Sequence, residues 1–166
     1  MPFAARRPAN APGSDRRLET ADDTRAFGAR LARILRAGDL VVLIGPLGAG
    51  KTALVQGIGT GLGVRGPVVS PTFVIARVHP PASGTLPLVH VDAYRLGSLA
   101  EVDDLDLDID SAHAVTVVEW GAGLVEQLAE SRLEVSISRA DDSEVRTVRL
   151  EPVGGDWAAR LAAFTE

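Results

Sequence analysis

The sequence predicts an α/β protein whose mostly parallel sheet carries helices on both faces, with an antiparallel hairpin near the C-terminus. Three observations predict it. The run LVVLI (Leu40–Ile44) is apolar at every position, as a strand covered on both faces must be, and a glycine-rich loop and a helical stretch follow it at once. Further apolar strands alternate with helical periodicity along the chain, the pattern of a layered parallel sheet. Lastly, RLEVSIS and EVRTVRL, joined by RADD, alternate in the manner of a hairpin.

Taken in order, residues 1–16 offer Pro, Ala and Arg but little apolar surface, so they are expected to form a disordered tail. Residues 17–166 are expected to form one domain, since 166 residues bury about 68–70% of their unfolded surface as a single unit. After a short strand end, Thr20 is an N-cap with Asp22 and Asp23 in the first turn. The following helix carries Phe27, Leu31, Ile34 and Leu35 on one face and is expected to run to Gly38. Lys51 to about Leu62 is the helix after the glycine loop. Strands are then expected in FVIARVH (73–79), LPLVHVD (86–92) and AVTVVEW (114–120), with helices in SLAEVDDL and GAGLVEQLAE. WAARLAAF closes the chain as an amphipathic helix with Trp157, Leu161 and Phe164 on one side.

Composition narrows the function. The net charge is −5 and aromatics are 4% of residues, which argues against a chain that grips nucleic acid by itself. There is no cysteine, hence no disulfide framework and no thiolate metal site. No apolar stretch approaches the ~20 residues of a membrane span and the N-terminal residues lack a signal-peptide core, so a cytoplasmic location is expected.

One residue stands apart. The 17 cationic side chains are 16 Arg and a single Lys, and that Lys is Lys51. It lies in GPLGAGKT, residues Gly45, Pro46, Leu47, Gly48, Ala49, Gly50, Lys51 and Thr52, which fits G-x-x-x-x-G-K-[ST] between an apolar strand and a helix. The glycines let the backbone approach an anion closely, with successive amides and a helix N-terminus directed at it. Lysine reaches the β- and γ-phosphates as a point charge where a guanidinium fork would not fit, and the threonine hydroxyl suits Mg²⁺.

Such a site needs an acid from a neighbouring strand, and two strands end in one: LVHVD at Asp92 and VTVVE at Glu119. Our assignment gives the metal to Thr52 and Glu119, with Asp92 placed farther out or orienting the attacking water. The two acids can exchange roles. In SPTF (70–73), Thr72 can offer a hydroxyl toward the γ-phosphate, although its spacing alone fits an ordinary loop threonine better. His90 reads as a strand histidine rather than a ligand, and His79 and His113, without Cys or a paired His, do not make a zinc site. The acidic run 101–110 reads as a solvated helix face, because Leu99, Val102, Leu105 and Ile109 keep the spacing of a buried stripe.

The succession GPLGAGKTALVQGIGTGLGV, SPTF, HVDAYRL, an acidic helix and VVEW resembles the TsaE (YjeE) family, the small P-loop ATPases of bacterial tRNA threonylcarbamoyladenosine biosynthesis, over roughly residues 18–148. The resemblance implies a P-loop NTPase-like fold that binds ATP and Mg²⁺ and has weak intrinsic ATPase activity. It implies work with two protein subunits, a catalytic transferase and its non-catalytic paralogue, that modify the adenosine beside the tRNA anticodon; tRNA would be met only indirectly, and no membrane is involved. It further implies that Lys51 and Thr52 bind phosphate and metal, that Thr72 belongs to a switch-like loop, and that Asp92 and Glu119 serve catalysis and metal. Ala21, Thr24 and Arg146 would border the adenine. Two departures stand out: Pro46 replaces the usual Asp, at a position that contributes mainly backbone, and Asp106 replaces a Gly.

Two other classes share the phosphate loop. A small-molecule P-loop kinase should carry an Arg-rich lid, and no such insertion is visible. A GTPase should carry Asn-Lys-x-Asp, which the sequence excludes: the sole Asn is Asn10 and the sole Lys is Lys51.

Overall fold

Val, Leu and Ile dominate the strands at the centre of the molecule, and their pairing decides where the site falls. The computed structural model describes residues 15–46, 48–68, 76–92, 112–119 and 130–164. In chain order these form β1 (Asp15–Leu18), α1 (Ala21–Leu31), β2 (Leu40–Ile44), α2 (Lys51–Leu62), β3 (Ala76–His79), β4 (Leu88–Asp92), β5 (Val115–Glu119), β6 (Arg132–Arg139), β7 (Arg146–Val153) and α3 (Trp157–Ala162). The strands make one seven-stranded sheet in the order β1-β7-β6-β2-β5-β4-β3. Its core, β6-β2-β5-β4, is parallel, while β7 and β3 run antiparallel to their inner neighbours and β1 antiparallel to β7.

Register aligns the strand ends. Leu43 of β2 lies opposite Glu119 of β5, and Glu119 lies opposite Asp92 of β4. The carboxyl ends of the three central strands therefore open on the same edge as the loop that leaves β2. Residues opposite one another share a face, so Val41, Leu43, Leu88, Val117, Leu133 and Val135 pack under α1, α2 and α3 in one core. Val42, Val89, Val91 and Val118 point the other way and are buried as well. The helices expected from SLAEVDDL and GAGLVEQLAE lie outside the described residues.

Helix α1 begins where its sequence says it should. Thr20 accepts from the Asp23 amide at 3.1 Å and the Asp23 carboxylate accepts from the Thr20 amide at 3.1 Å, a reciprocal capping box. It ends earlier than expected, at Leu31, with a 3₁₀ turn over Ala32–Ile34 and Leu35 already extended. The cause is tertiary. Arg160 of α3 donates to the Ile34 carbonyl at 2.7 Å, and Asp39 accepts from the Arg36 amide at 2.6 Å, so the chain is drawn off the helix axis into β2. Gly38 takes its positive φ of 89° in that turn instead of at a helix end.

Glycines set how close α1 and α2 come. A Cβ on Gly28 would lie 2.4 Å from the Leu54 carbonyl oxygen, one on Gly57 2.0 Å from that of Arg25, and one on Gly61 2.5 Å from that of Ala29. The pairs 25 with 57 and 29 with 61 advance together, so the helices run in the same direction and their N-termini share an end. Burial of Phe27, Leu31, Leu54 and Ile58 holds this interface, each fully buried apolar side chain contributing about 1.5–3 kcal/mol.

At the C-terminal end the hairpin β6–β7 and the closing helix are present as expected, and Trp157, Leu161 and Phe164 are all buried. Phe164 meets Phe27 edge to face with centroids 5.9 Å apart. Strand β1 covers Asp15–Leu18 at the edge of the sheet. Asp15 and Arg16 pair opposite Arg149 and Val148, and the Arg16 guanidinium sits 5.8 Å from the centre of the Phe164 ring. Among the described residues no helix is long and apolar enough to cross a membrane.

Candidate phosphate-binding site

The loop after β2 is shaped by close backbone approach. A Cβ at Gly45 would lie 2.3 Å from the Ile137 carbonyl oxygen of β6, so any side chain there would push the loop off the sheet. Gly50 is the N-cap of α2 in the left-handed region, φ 106°, where an L side chain is strained, and its missing Cβ would lie 2.7 Å from Nε of Arg146. A glycine N-cap supplies no side-chain acceptor, so the first-turn amides of α2 carry no side-chain cap. Leu47 lies outside the described residues, while Pro46 and Gly48 are exposed and Ala49 is buried.

Lys51 is 6% exposed, and its ammonium folds back over the loop, donating to the carbonyl oxygens of Gly45 at 2.6 Å and Pro46 at 3.1 Å. Its pKa lies below the ordinary lysine value because burial disfavours the charged form, an effect opposed by the negative charges of Glu119 and Asp92. The alignment of strand ends has therefore brought the lone lysine and both candidate acids within electrostatic reach of one another. Glu119 is 5% exposed and Asp92 is half-buried. Thr52 follows Lys51 in the first turn of α2, half-buried. Two carboxylates and a hydroxyl are hard oxygen donors, the set that suits Mg²⁺.

His90, an ordinary strand histidine by its sequence, gains a partner from the fold. It is wholly buried, and its Nε2 lies 3.0 Å from Oε2 of Glu119. A carboxylate only accepts, so the ring donates from Nε2. The signal available in the sequence was its place two residues before Asp92 on the same strand face, which says nothing of Glu119 until the strands are paired.

Arg146 begins β7 opposite Leu18 and Arg139 and lies against Gly50. It donates to the Glu144 carbonyl, while its buried Nε has no hydrogen-bond partner. Burial and the neighbouring Arg139 lower its pKa. Ala21 is half-buried at the first turn of α1. Thr24 is wholly buried with its hydroxyl donating to the Thr20 carbonyl at 3.2 Å, so it supports the helix end from within. Thr72 lies outside the described residues, as do Tyr94, Arg95, Asp106 and Trp120.

A parallel core flanked by antiparallel strands, with a glycine loop joining β2 to α2 beneath two strand-end acids, defines an α/β protein of the P-loop NTPase type. The comparisons with known proteins carry this to a family. The family model described as "Threonylcarbamoyl adenosine biosynthesis protein TsaE" matches residues 18–148. The tRNA threonylcarbamoyladenosine biosynthesis protein TsaE of Streptomyces coelicolor is 59% identical over 138 residues, covering 81% of this chain and 93% of that protein. The protein of the same description from Bacillus subtilis is 39% identical over 137 residues, 82% of this chain and 84% of its own length. The crystal structure of Bacillus subtilis YdiB superposes with a TM-score of 0.71 at 32% identity, covering 90% of this chain and 92% of that one. The chain belongs to the TsaE family, whose role is in the biosynthesis of threonylcarbamoyladenosine in tRNA.

Proposed function

We propose that the protein binds ATP with Mg²⁺, hydrolyses it slowly alone, and does so in the service of a multi-subunit assembly that threonylcarbamoylates the adenosine at tRNA position 37. One observation carries the reading: Lys51, Asp92 and Glu119 converge at the mouth of α2, with both acids acting on the buried ammonium. A buried lysine above uncapped helix amides is a receptor for a polyphosphate, and the adjoining acids supply what a divalent cation needs.

In this reading the loop backbone from Gly45 to Gly50 wraps the phosphates, and the Lys51 ammonium exchanges its loop carbonyls for phosphate oxygens. Thr52 and Glu119 hold Mg²⁺, which when bound neutralises charge on the phosphate oxygens. Asp92, half-buried beside Glu119, accepts a hydrogen bond from the attacking water and fixes its line of approach. Thr72, outside the described residues, is assigned to a switch-like loop by the resemblance alone. Arg146, seated against Gly50 with its Nε unpartnered, borders the nucleotide together with the start of α1 at Ala21 and Thr24. The partners are the catalytic transferase subunit and its non-catalytic paralogue, and the protein works in the cytoplasm.

The test is ATP turnover with Mg²⁺, alone and with both partner subunits. Slow turnover that changes when the two are added together is expected. Tight ATP binding indifferent to them would overturn the assembly role and favour a small-molecule kinase. Asp92→Asn and Glu119→Gln should each lower turnover, and unchanged rates in both would refute their pairing.

A further inference from the structure

We propose that His90 is a positioning residue for the Glu119 carboxylate, fixing the rotamer in which that acid meets the metal; this rests on the role proposed above for Glu119. The two side chains come from adjacent parallel strands. His90 lies opposite Val117 in register, so its ring reaches diagonally along one sheet face to the carboxylate two residues farther on. At 3.0 Å, Nε2 donates to Oε2 of the Glu119 side chain. One carboxylate oxygen is thus tethered to a buried ring, while the group's charge also acts on Lys51.

The cost of this arrangement is what points to a use. His90 is 0% exposed and its Nδ1 is buried with no hydrogen-bond partner. A buried polar atom left unmade is expensive, and a leucine among Leu88, Val115 and Val117 would spare the fold that penalty. Among the described residues the ring's single polar anchor is Glu119. A glutamate at a strand end has three side-chain torsions to order, and a fixed donor from the core removes most of that freedom before ligand arrives. Sites that hold metals depend on such supporting donors, whose loss typically costs about 10–100-fold in metal affinity or activity.

The experiment measures ATP affinity by calorimetry with Mg²⁺ and with EDTA, on the full chain and on His90→Leu, His90→Gln and Glu119→Gln, each first checked for a cooperative thermal transition. Glutamine places an N–H near the position of imidazole Nε2, so it should keep the tether. His90→Leu is expected to bind ATP normally in EDTA yet lose the Mg²⁺-dependent gain by about 10–100-fold, with His90→Gln recovering most of it. If His90→Leu keeps the wild-type gain while Glu119→Gln loses it, the positioning role is overturned. Equal loss in the folded Leu and Gln variants overturns it too, since the hydrogen bond would then not be the cause. If Glu119→Gln itself keeps the full gain, the metal role of Glu119 fails first, and that failure is separately visible.

Discussion

Two buried cations show how the same burial serves two ends. Arg160, 9% exposed, is matched completely: it forms a bidentate pair with Asp39 at 2.7 and 2.8 Å, reaches Asp156 at 3.1 Å, donates to the Ile34 carbonyl and stacks 3.8 Å from the Trp157 ring centre. Its pKa is raised, above all by the hydrogen bond to Asp39. Lys51, 6% exposed, is shifted the opposite way, because desolvation outweighs the nearby acids. The arginine's charge is consumed in tying α3 to the start of β2. The lysine's ammonium donates to the carbonyls of Gly45 and Pro46 in the glycine loop, with Glu119 and Asp92 acting on its charge.

The contrast makes separable predictions, the largest first. Arg160→Ala leaves half-buried Asp39 with the Arg36 amide but without its guanidinium, and should cost about 3 kcal/mol of folding free energy in denaturant titration. ATP affinity of the folded fraction should stay unchanged; a large loss would show that the two regions are coupled. Next, Gly57→Ala drives a methyl into the Arg25 carbonyl, and the α1–α2 spacing must open at a cost of about 1–3 kcal/mol. Thermal melts should also show Thr20→Ala losing about 1 kcal/mol with the capping box.

The smallest effect is one of pH, and its sign follows from Lys51. Its pKa in the free protein is below 10.5, so the protonated form is the disfavoured one, and this penalty on the fold fades as pH rises through the lowered pKa toward 10.5. A bound polyphosphate favours the ammonium and raises that pKa. ATP binding should therefore take up protons, and weaken, as pH climbs through the lowered free-state pKa, which calorimetry in buffers of different ionisation enthalpy would register. Binding that strengthens over that range would contradict the assignment.

What could be read from the sequence was local. LVVLI, the glycine loop and the helix Lys51–Leu62 are legible because apolar continuity and glycine punctuation act over a few residues, and the hairpin is legible for the same reason. What escaped depended on partners far along the chain. The early end of α1 is set by Arg160 acting on Ile34 across 126 residues. The His90–Glu119 contact spans 29 residues and exists only once β4 and β5 take their register. Asp92 and Glu119 could be nominated because strand ends in a parallel sheet gather at one edge by topology. The donor beneath one of them was hidden because topology says nothing of side-chain reach.

The most direct measurement is the affinity of the purified protein for ATP with Mg²⁺, compared with Lys51→Ala. The account predicts measurable binding that falls by about 100-fold or more when the ammonium is removed, the scale of losing a buried charge-assisted contact, while the variant still melts cooperatively. Equal affinity in the two proteins, or no binding by either, would contradict it.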